Sequence, residues 1–330
     1  MIRALALTVG LLLPGLAVAA CGGPSLLDDL TAAESATLAE AVAETPYGTG
    51  LLWRATRDGR EVTLLGTMHI HDPRHAALLE QVRPLIAAAD EVLLEVTPRE
   101  EAAMQAAIRD EPERIIITEG PTLPELVDAA TWEVLSEAAA ARQVPPFMAA
   151  KFQPWYLSLT LGVPPCAMPD LAAGLRGLDH LVMREAEAQG VPLRALEPWD
   201  TLFTLFDAGT MDEQIALLIY AAGPPELQTS TFVGMLDGYF DGRIAEVWEL
   251  SRIATYRTPG LDRATADALI ALTEERLLEQ RNRAWLPVIE AAGPGPVLVA
   301  VGAAHLPGES GLLTLLAEAG WRIERLPLTR

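Results

Sequence analysis

The sequence predicts an α/β protein: a mixed β-sheet with flanking helices and a helix-rich central insertion. Three observations carry this. Short apolar runs bounded by turn residues lie toward both ends of the chain, at residues 51–56, 61–65, 91–96 and 296–302. Stretches with helical spacing of apolar residues separate them. The middle, about residues 100–283, is helical in pattern but cut into short pieces by prolines, among them Pro112, Pro121, Pro124, Pro145, Pro146, Pro154 and Pro169.

The elements follow in order. Residues 1–20 read as a signal peptide, with Met1-Ile2-Arg3 as a positive start, an apolar run, and small residues Ala17-Val18-Ala19-Ala20 at the cut. The rest, residues 21–330, reads as a single domain. Residues 26–44 have the spacing of an amphipathic helix, ended by Pro46-Tyr47-Gly48. Strands at 51–56 and 61–65 flank Asp58-Gly59, a hairpin signal. A helix is expected over 74–89, with Asp72 as its cap and Pro73 at its first position, and a buried strand over 91–96. Inside the insertion, a helix at 179–189 leads to a strand at 191–196, and 265–290 reads as one long helix. The chain closes with a buried strand (296–302), a helix (311–319) opened by a Glu309-Ser310-Gly311 cap, and a strand (322–328).

Composition narrows the function. The chain has 330 residues, 24 basic and 45 acidic side chains, a net charge of −21, and half its residues apolar. That is too apolar for a disordered chain, and the acidic balance argues against a nucleic-acid partner. A small-molecule or peptide substrate is the expected partner; oligomeric state is not legible. No run after the signal is long and apolar enough to span a bilayer, so the protein is expected to be periplasmic or secreted. Its 2 cysteines exclude a disulfide framework or a four-cysteine zinc module. Two readings of Cys21 stay open. Paired with Cys166 it forms a disulfide, as an even count in an oxidising compartment favours. Alternatively, Val18-Ala19-Ala20-Cys21 is a lipoprotein box and Cys21 carries a lipid anchor, the one case that brings in a membrane.

One pattern occurs twice: Gly66-Thr67-Met68-His69 and Gly302-Ala303-Ala304-His305, each after an apolar strand. Glycine at a strand end allows close backbone approach. A histidine just beyond stands where open α/β sheets bind ligands, outside the carboxyl ends of strands. Glu95 closes a third strand in the same way, so His69, Glu95 and His305 form a candidate set. The alternative is that both histidines bond backbone at strand ends.

These motifs resemble the TraB/GumN family, in particular its GumN-like branch; the family takes in the Tiki metalloproteases and is more distantly related to erythromycin esterases and ChaN-like haem-binding proteins. The likeness covers most of the chain after the signal. It runs through Leu52-Trp53, Gln153-Pro154-Trp155, Gly177-Leu178-Asp179, Leu196-Glu197, Gln280-Arg281-Asn282 and Val301 to Gly308. The resemblance implies hydrolysis of an amide or ester bond in one of two ways. Either His69, Glu95 and His305 bind a divalent metal (Mn, Co or Zn) that activates water. Or Glu95 orients His69 as a general base, with His305 or Arg281 stabilising the oxyanion. Asp179 and Glu197 match family positions and are expected to cap or support. His71 offers one further ligand; it and His75 otherwise read as loop or helix-start residues, and His180 as structural. Trp155, Tyr156, Trp199, Phe203 and Phe206 read as core, with some lining a cleft. No zincin helix, nucleophile elbow or phosphate loop occurs. Two further readings remain: a non-catalytic envelope protein binding haem or metal, and an accessory factor in surface polysaccharide production.

Overall fold

A computed structural model describes residues 21–207 and 209–328. The signal peptide expected at 1–20 lies outside the described residues. The six strands are β1 (Leu52–Arg57), β2 (Arg60–Thr67), β3 (Glu91–Leu94), β4 (Leu193–Ala195), β5 (Val297–Gly302) and β6 (Arg322–Leu326). They form one sheet in the order β4-β3-β5-β2-β1-β6. β4, β3, β5 and β2 run parallel, and β1 is antiparallel to both β2 and β6. The mixed sheet with flanking helices is thus the observed architecture.

The β1–β2 hairpin closes on Asp58 and Gly59, both at positive φ (51° and 80°), as a two-residue turn between right-twisted strands requires. β5 comes from the far end of the chain and inserts between β3 and β2. That placement brings the second Gly-x-x-His motif beside the first.

Alternate residues of each strand point to opposite faces, and both faces are covered. Leu298 and Ala300 pack with Leu78, Val82 and Ile86 of the helix His75–Ala88 and with Val182 of the helix Leu178–Gln189. Val297, Val299 and Val301 pack on the other side with Trp285 and Ile289 of the helix Gln280–Glu290 and with Leu312 and Leu316 near the C-terminus. The apolar run at 297–301 is therefore continuous because neither face meets water.

The insertion is helical, as its pattern predicts. Proline stands at the first or second position of several of its helices, including Pro98–Asp110, Pro154–Gly162 and Pro225–Phe240. There the missing N–H costs no hydrogen bond. A disulfide joins Cys21 to Cys166, with Cα atoms 5.1 Å apart, and ties the N-terminal arm to the helical body.

Four local expectations are corrected. The helix at 26–44 is broken: a 3₁₀ turn, Leu26–Asp29, precedes Ala32–Glu44, because Thr31 and Glu34 form a capping box that starts a new helix. The long C-terminal helix contains a π-helical stretch, Glu274–Glu279. Asp72 does not cap the helix with Pro73 at its first position; its carboxylate binds the Arg74 backbone and guanidinium, and the helix starts at His75. Ser310 does not cap the last helix, whose N-cap is Gly311; its carbonyl instead accepts from Asn282 Nδ2 at 3.0 Å.

Candidate functional site

The parallel strands β4, β3, β5 and β2 deliver a polar residue each just past their carboxyl ends. Across the sheet these are Glu197, Glu95, His305 and His69. The three residues expected from strand ends converge, and β4 adds a fourth. A Cβ on Gly302 would stand 3.3 Å from Glu95 Oε1, 3.5 Å from His305 Cδ2 and 3.8 Å from His69 Nε2. The absent side chain leaves open the point on which the three converge. Gly66 serves packing instead: a Cβ there would press on Ala303 and Leu306 at 3.0–3.1 Å.

Arg281 lies at the centre. Its guanidinium donates to both oxygens of Glu197 (2.9 and 2.7 Å) and to Glu95 Oε2 at 2.6 Å. Its Nη1 makes only two long contacts, at 3.4 Å each, to the Leu277 carbonyl and to His305 Nε2. Buried arginine is tolerated where carboxylates pair with it in this forked geometry. The neighbouring Asn282 holds His305 Nδ1 at 2.7 Å, and Trp285 donates to Glu197 Oε2 at 2.9 Å. The π stretch ends immediately before Gln280. It changes the helical register so that Arg281, Asn282 and Trp285 all face the strand ends.

His69 is oriented by Asp179, at 2.8 Å from Nδ1 to Oδ2, and not by Glu95. Glu95 is held by Arg281 and by the Gly302 N–H at 2.7 Å. Asp179 reaches His69 because the start of the helix Leu178–Gln189 is docked on the His69 loop. Gly177 N–H donates to the His69 carbonyl and Leu178 N–H to the Met68 carbonyl, both at 2.9 Å. A Cβ on Gly177 would collide with the Met68 carbonyl oxygen, which explains the glycine of Gly177-Leu178-Asp179. His180 joins the chain of charges, lying 3.2 Å from Asp179 Oδ2 and 2.7 Å from Glu101 Oε1.

The electrostatics split the histidines. His305 is buried, and burial lowers its pKa to about 3 against the pull of Glu95, so it is neutral at physiological pH. Burial also disfavours charge on His69, but the Asp179 hydrogen bond and the charges of Glu95 and Asp179 outweigh it and raise its pKa to about 9. The His69 side chain is 61% exposed, the open member of the group. Burial opposes the Glu95 anion, yet His305, Arg281, His69 and the Gly302 N–H hold its pKa down to about 2. Asp179 is held below the carboxylate range by His180 and His69 despite burial, and burial pushes Glu197 up.

The donors as arranged do not fit a divalent metal. Both oxygens of Glu95 are taken, and His305 Nε2 faces a guanidinium. Among the described residues no three His, Cys, Asp or Glu side chains are grouped closely enough to hold one.

Other expected residues fall elsewhere. His75 is no solvated helix-start residue: it is fully buried, with Nδ1 accepting from the Asp72 N–H and its ring against Tyr239 and Phe240. His71 has no part in the contacts described above. The five aromatics form a packed cluster, Trp155 stacking on Phe206 and meeting Phe203 edge-on, and Trp155 and Phe206 also line a cleft. Sequence reasoning missed the Asp179–His69 pairing and the roles of Asn282 and Trp285. The quoted segments Gly177-Leu178-Asp179 and Gln280-Arg281-Asn282 held the signal, but only the fold shows what each faces.

The fold and this edge define a class: an α/β protein with a charged, partly open site at the carboxyl ends of its parallel strands. The profile of the TraB/PrgY/gumN family matches residues 51–325, from the residue before β1 into β6, and the chain belongs to that family. No curated protein matches it in sequence. No helix among the described residues is long and apolar enough to cross a membrane.

Proposed function

We propose that the protein is an exported hydrolase of an amide or ester bond, with His69 exchanging protons with water and substrate. One observation carries this reading. Arg281, Glu197 and His305 are buried, Glu95 is partly so, and they hold one another, whereas His69 is 61% exposed, fixed at Nδ1, with Nε2 turned to the gap at Gly302. Asp179 accepts from Nδ1–H; above the raised His69 pKa of about 9, Nε2 is free to take a proton from water, and below it Nε2–H is a proton donor to the substrate. Arg281 Nη1, with contacts only at 3.4 Å, has donor capacity left for a developing oxyanion. Glu95 and Glu197 keep that guanidinium in place. Export rests on the signal pattern at 1–20 and on the Cys21–Cys166 bond, which suits an oxidising compartment. A Cys21 sulfur so engaged is not free for a lipid thioether, which favours a soluble periplasmic or secreted form.

Hydrolysis of 4-nitrophenyl acetate by the purified protein tests the reading. His69→Ala is expected to lower kcat/KM by about 10²–10⁴-fold. A variant as active as wild type would sink it. Metal assistance, which the family resemblance implies and the donors as arranged do not fit, is the competing reading. Metal analysis separates the two: stoichiometric Mn, Co or Zn, lost in His69→Ala and His305→Ala, would replace the metal-free reading. Neither metal nor turnover leaves an envelope ligand-binding protein or an accessory factor in polysaccharide production.

A further inference from the structure

A second cleft, of about 410 Å³, lies among the helices of the insertion. Its lining includes Ile70, the residue after His69, and Leu277, whose carbonyl receives Arg281 Nη1. In a chain of which 21% is charged, no Asp, Glu, Lys, Arg or His among the described residues lines it. Its hydroxyls are already engaged. Ser158 donates to Pro154, Thr231 to Leu227, Ser251 to Trp248, Thr258 to Ala254 and Thr273 to Leu269, all to backbone carbonyls three or four residues earlier, and Tyr220 bonds Thr255. Gln228 is likewise tied, to Ala221 and Arg142. The walls therefore offer mainly apolar surface and few free polar groups, and a polar occupant would lose most of its water without replacement.

We infer that this cleft is the acyl pocket of the candidate hydrolase, seating the hydrocarbon chain of a fatty-acyl ester or amide whose carbonyl lies between His69 and Arg281. The inference rests on the hydrolase reading and adds the substrate class to it. The chain would enter past Ile70 and run between Trp155, Phe206, Phe232 and Leu277, and the charged site would keep the carbonyl end.

The test is a series of 4-nitrophenyl esters from acetate through butyrate and octanoate to dodecanoate. In wild type kcat/KM is expected to rise about fourfold per methylene until the cleft is full, the transfer free energy of one CH₂. Gly162→Phe shortens the pocket; a Cβ there meets nothing within 4 Å, so the helix accepts it. Leu159→Asp sets a charge on a lining residue that is 39% exposed, where it does not endanger folding. Both variants are expected to leave acetate turnover unchanged and to remove the preference for long chains. A flat chain-length profile in wild type, or an intact preference in both variants, overturns the inference and leaves the hydrolase. If no ester turns over, calorimetry with dodecan-2-one and acetone decides. Chain-length-dependent binding that Gly162→Phe abolishes upholds the pocket while the hydrolase reading falls, and its absence overturns the pocket.

Discussion

Asp179 and His69 stand 110 residues apart in sequence and 2.8 Å apart in space, and that contact sets what the open histidine can do. Asp179→Asn removes the anion but keeps the shape. The His69 pKa is then expected to fall from about 9 toward its ordinary 6.5. If His69 acts as a base, kcat/KM of wild type rises with pH through about 9, and the midpoint of the variant moves to lower pH. The maximal rate drops about 10²–10⁴-fold because the tautomer is no longer fixed. An NMR titration of the His69 ring beside the pH–rate profile checks both, and coincident profiles would refute the pairing. Gly302→Ala separates site from fold. The added methyl enters the point where His69, Glu95 and His305 converge, so activity is expected to fall at least tenfold. A neighbour need yield by only a few tenths of an ångström at the 3.3 Å contact with Glu95, and the unfolding free energy from urea titration stays within about 0.5 kcal/mol of wild type. His69, Glu95 and His305 were legible beforehand because each follows an apolar strand, and strand ends are where a sheet presents polar groups. Asp179 was legible as a family position but not as the partner of His69. It sits on a helix, and nothing local in a sequence says which loop a helix start will dock against.

Elements with strong local chemistry were predictable, and those shaped by their partners were not. The hairpin on Asp58-Gly59 and the proline-led helices follow from φ preferences that hold anywhere in a chain. The π stretch Glu274–Glu279 has no such signature. Its residues suit an α-helix equally, and the extra width exists because Arg281 must reach Glu95 and Glu197 at once. β4 shows the same limit: the expected six-residue strand shrinks to Leu193–Ala195, since its neighbour β3 is itself only four residues long. The N-terminal arm depends on a covalent tie as well as on packing. The Cys21–Cys166 bond closes a separation of 145 residues, and the entropy it removes from the unfolded chain is worth about 2–4 kcal/mol. Around it Cys21, Ala167 and Leu236 form a small apolar cluster against Ile70 and Met68, so the tie braces the segment that carries His69. Cys166→Ser is expected to lower the melting temperature by several degrees and to raise proteolysis near the N-terminus. Equal melting temperatures for oxidised and reduced wild type would contradict this.

For the molecule as a whole, two electrostatic effects oppose each other as pH falls. A net charge of −21 strains the folded chain, and neutralising it toward the pI of 4.6 relieves that repulsion. Were that the larger effect, stability would peak near the pI. The buried groups pull the other way. His305 and His75 are held neutral by burial, with pKa values lowered to about 3 and about 4, so the unfolded chain binds their protons first. Their contribution is full above the unfolded value of 6.5 and is lost as pH drops below it. Glu95, lowered to about 2, adds a loss that starts near its ordinary 4.5. His69 has the reverse sign. Raised to about 9, it stabilises fully below 6.5, and that contribution disappears as pH climbs from 6.5 through 9. Surface repulsion is spread over exposed side chains and screened by salt, whereas His305 and His75 are buried and His69, though exposed, bonds Asp179 directly, so these groups are expected to dominate at physiological ionic strength. Melting temperature should therefore be highest close to pH 6.5, about two units above the pI, and fall on both sides. The His69→Gln variant should shrink the alkaline fall, leaving the share of His180, whose pKa Asp179 also raises, and keep the acid one. Calorimetry from pH 4 to 10 at fixed salt reads both limbs. A maximum near 4.6 would mean that repulsion wins after all, and an alkaline limb unchanged in the variant would mean that His69 does not hold its proton against Asp179.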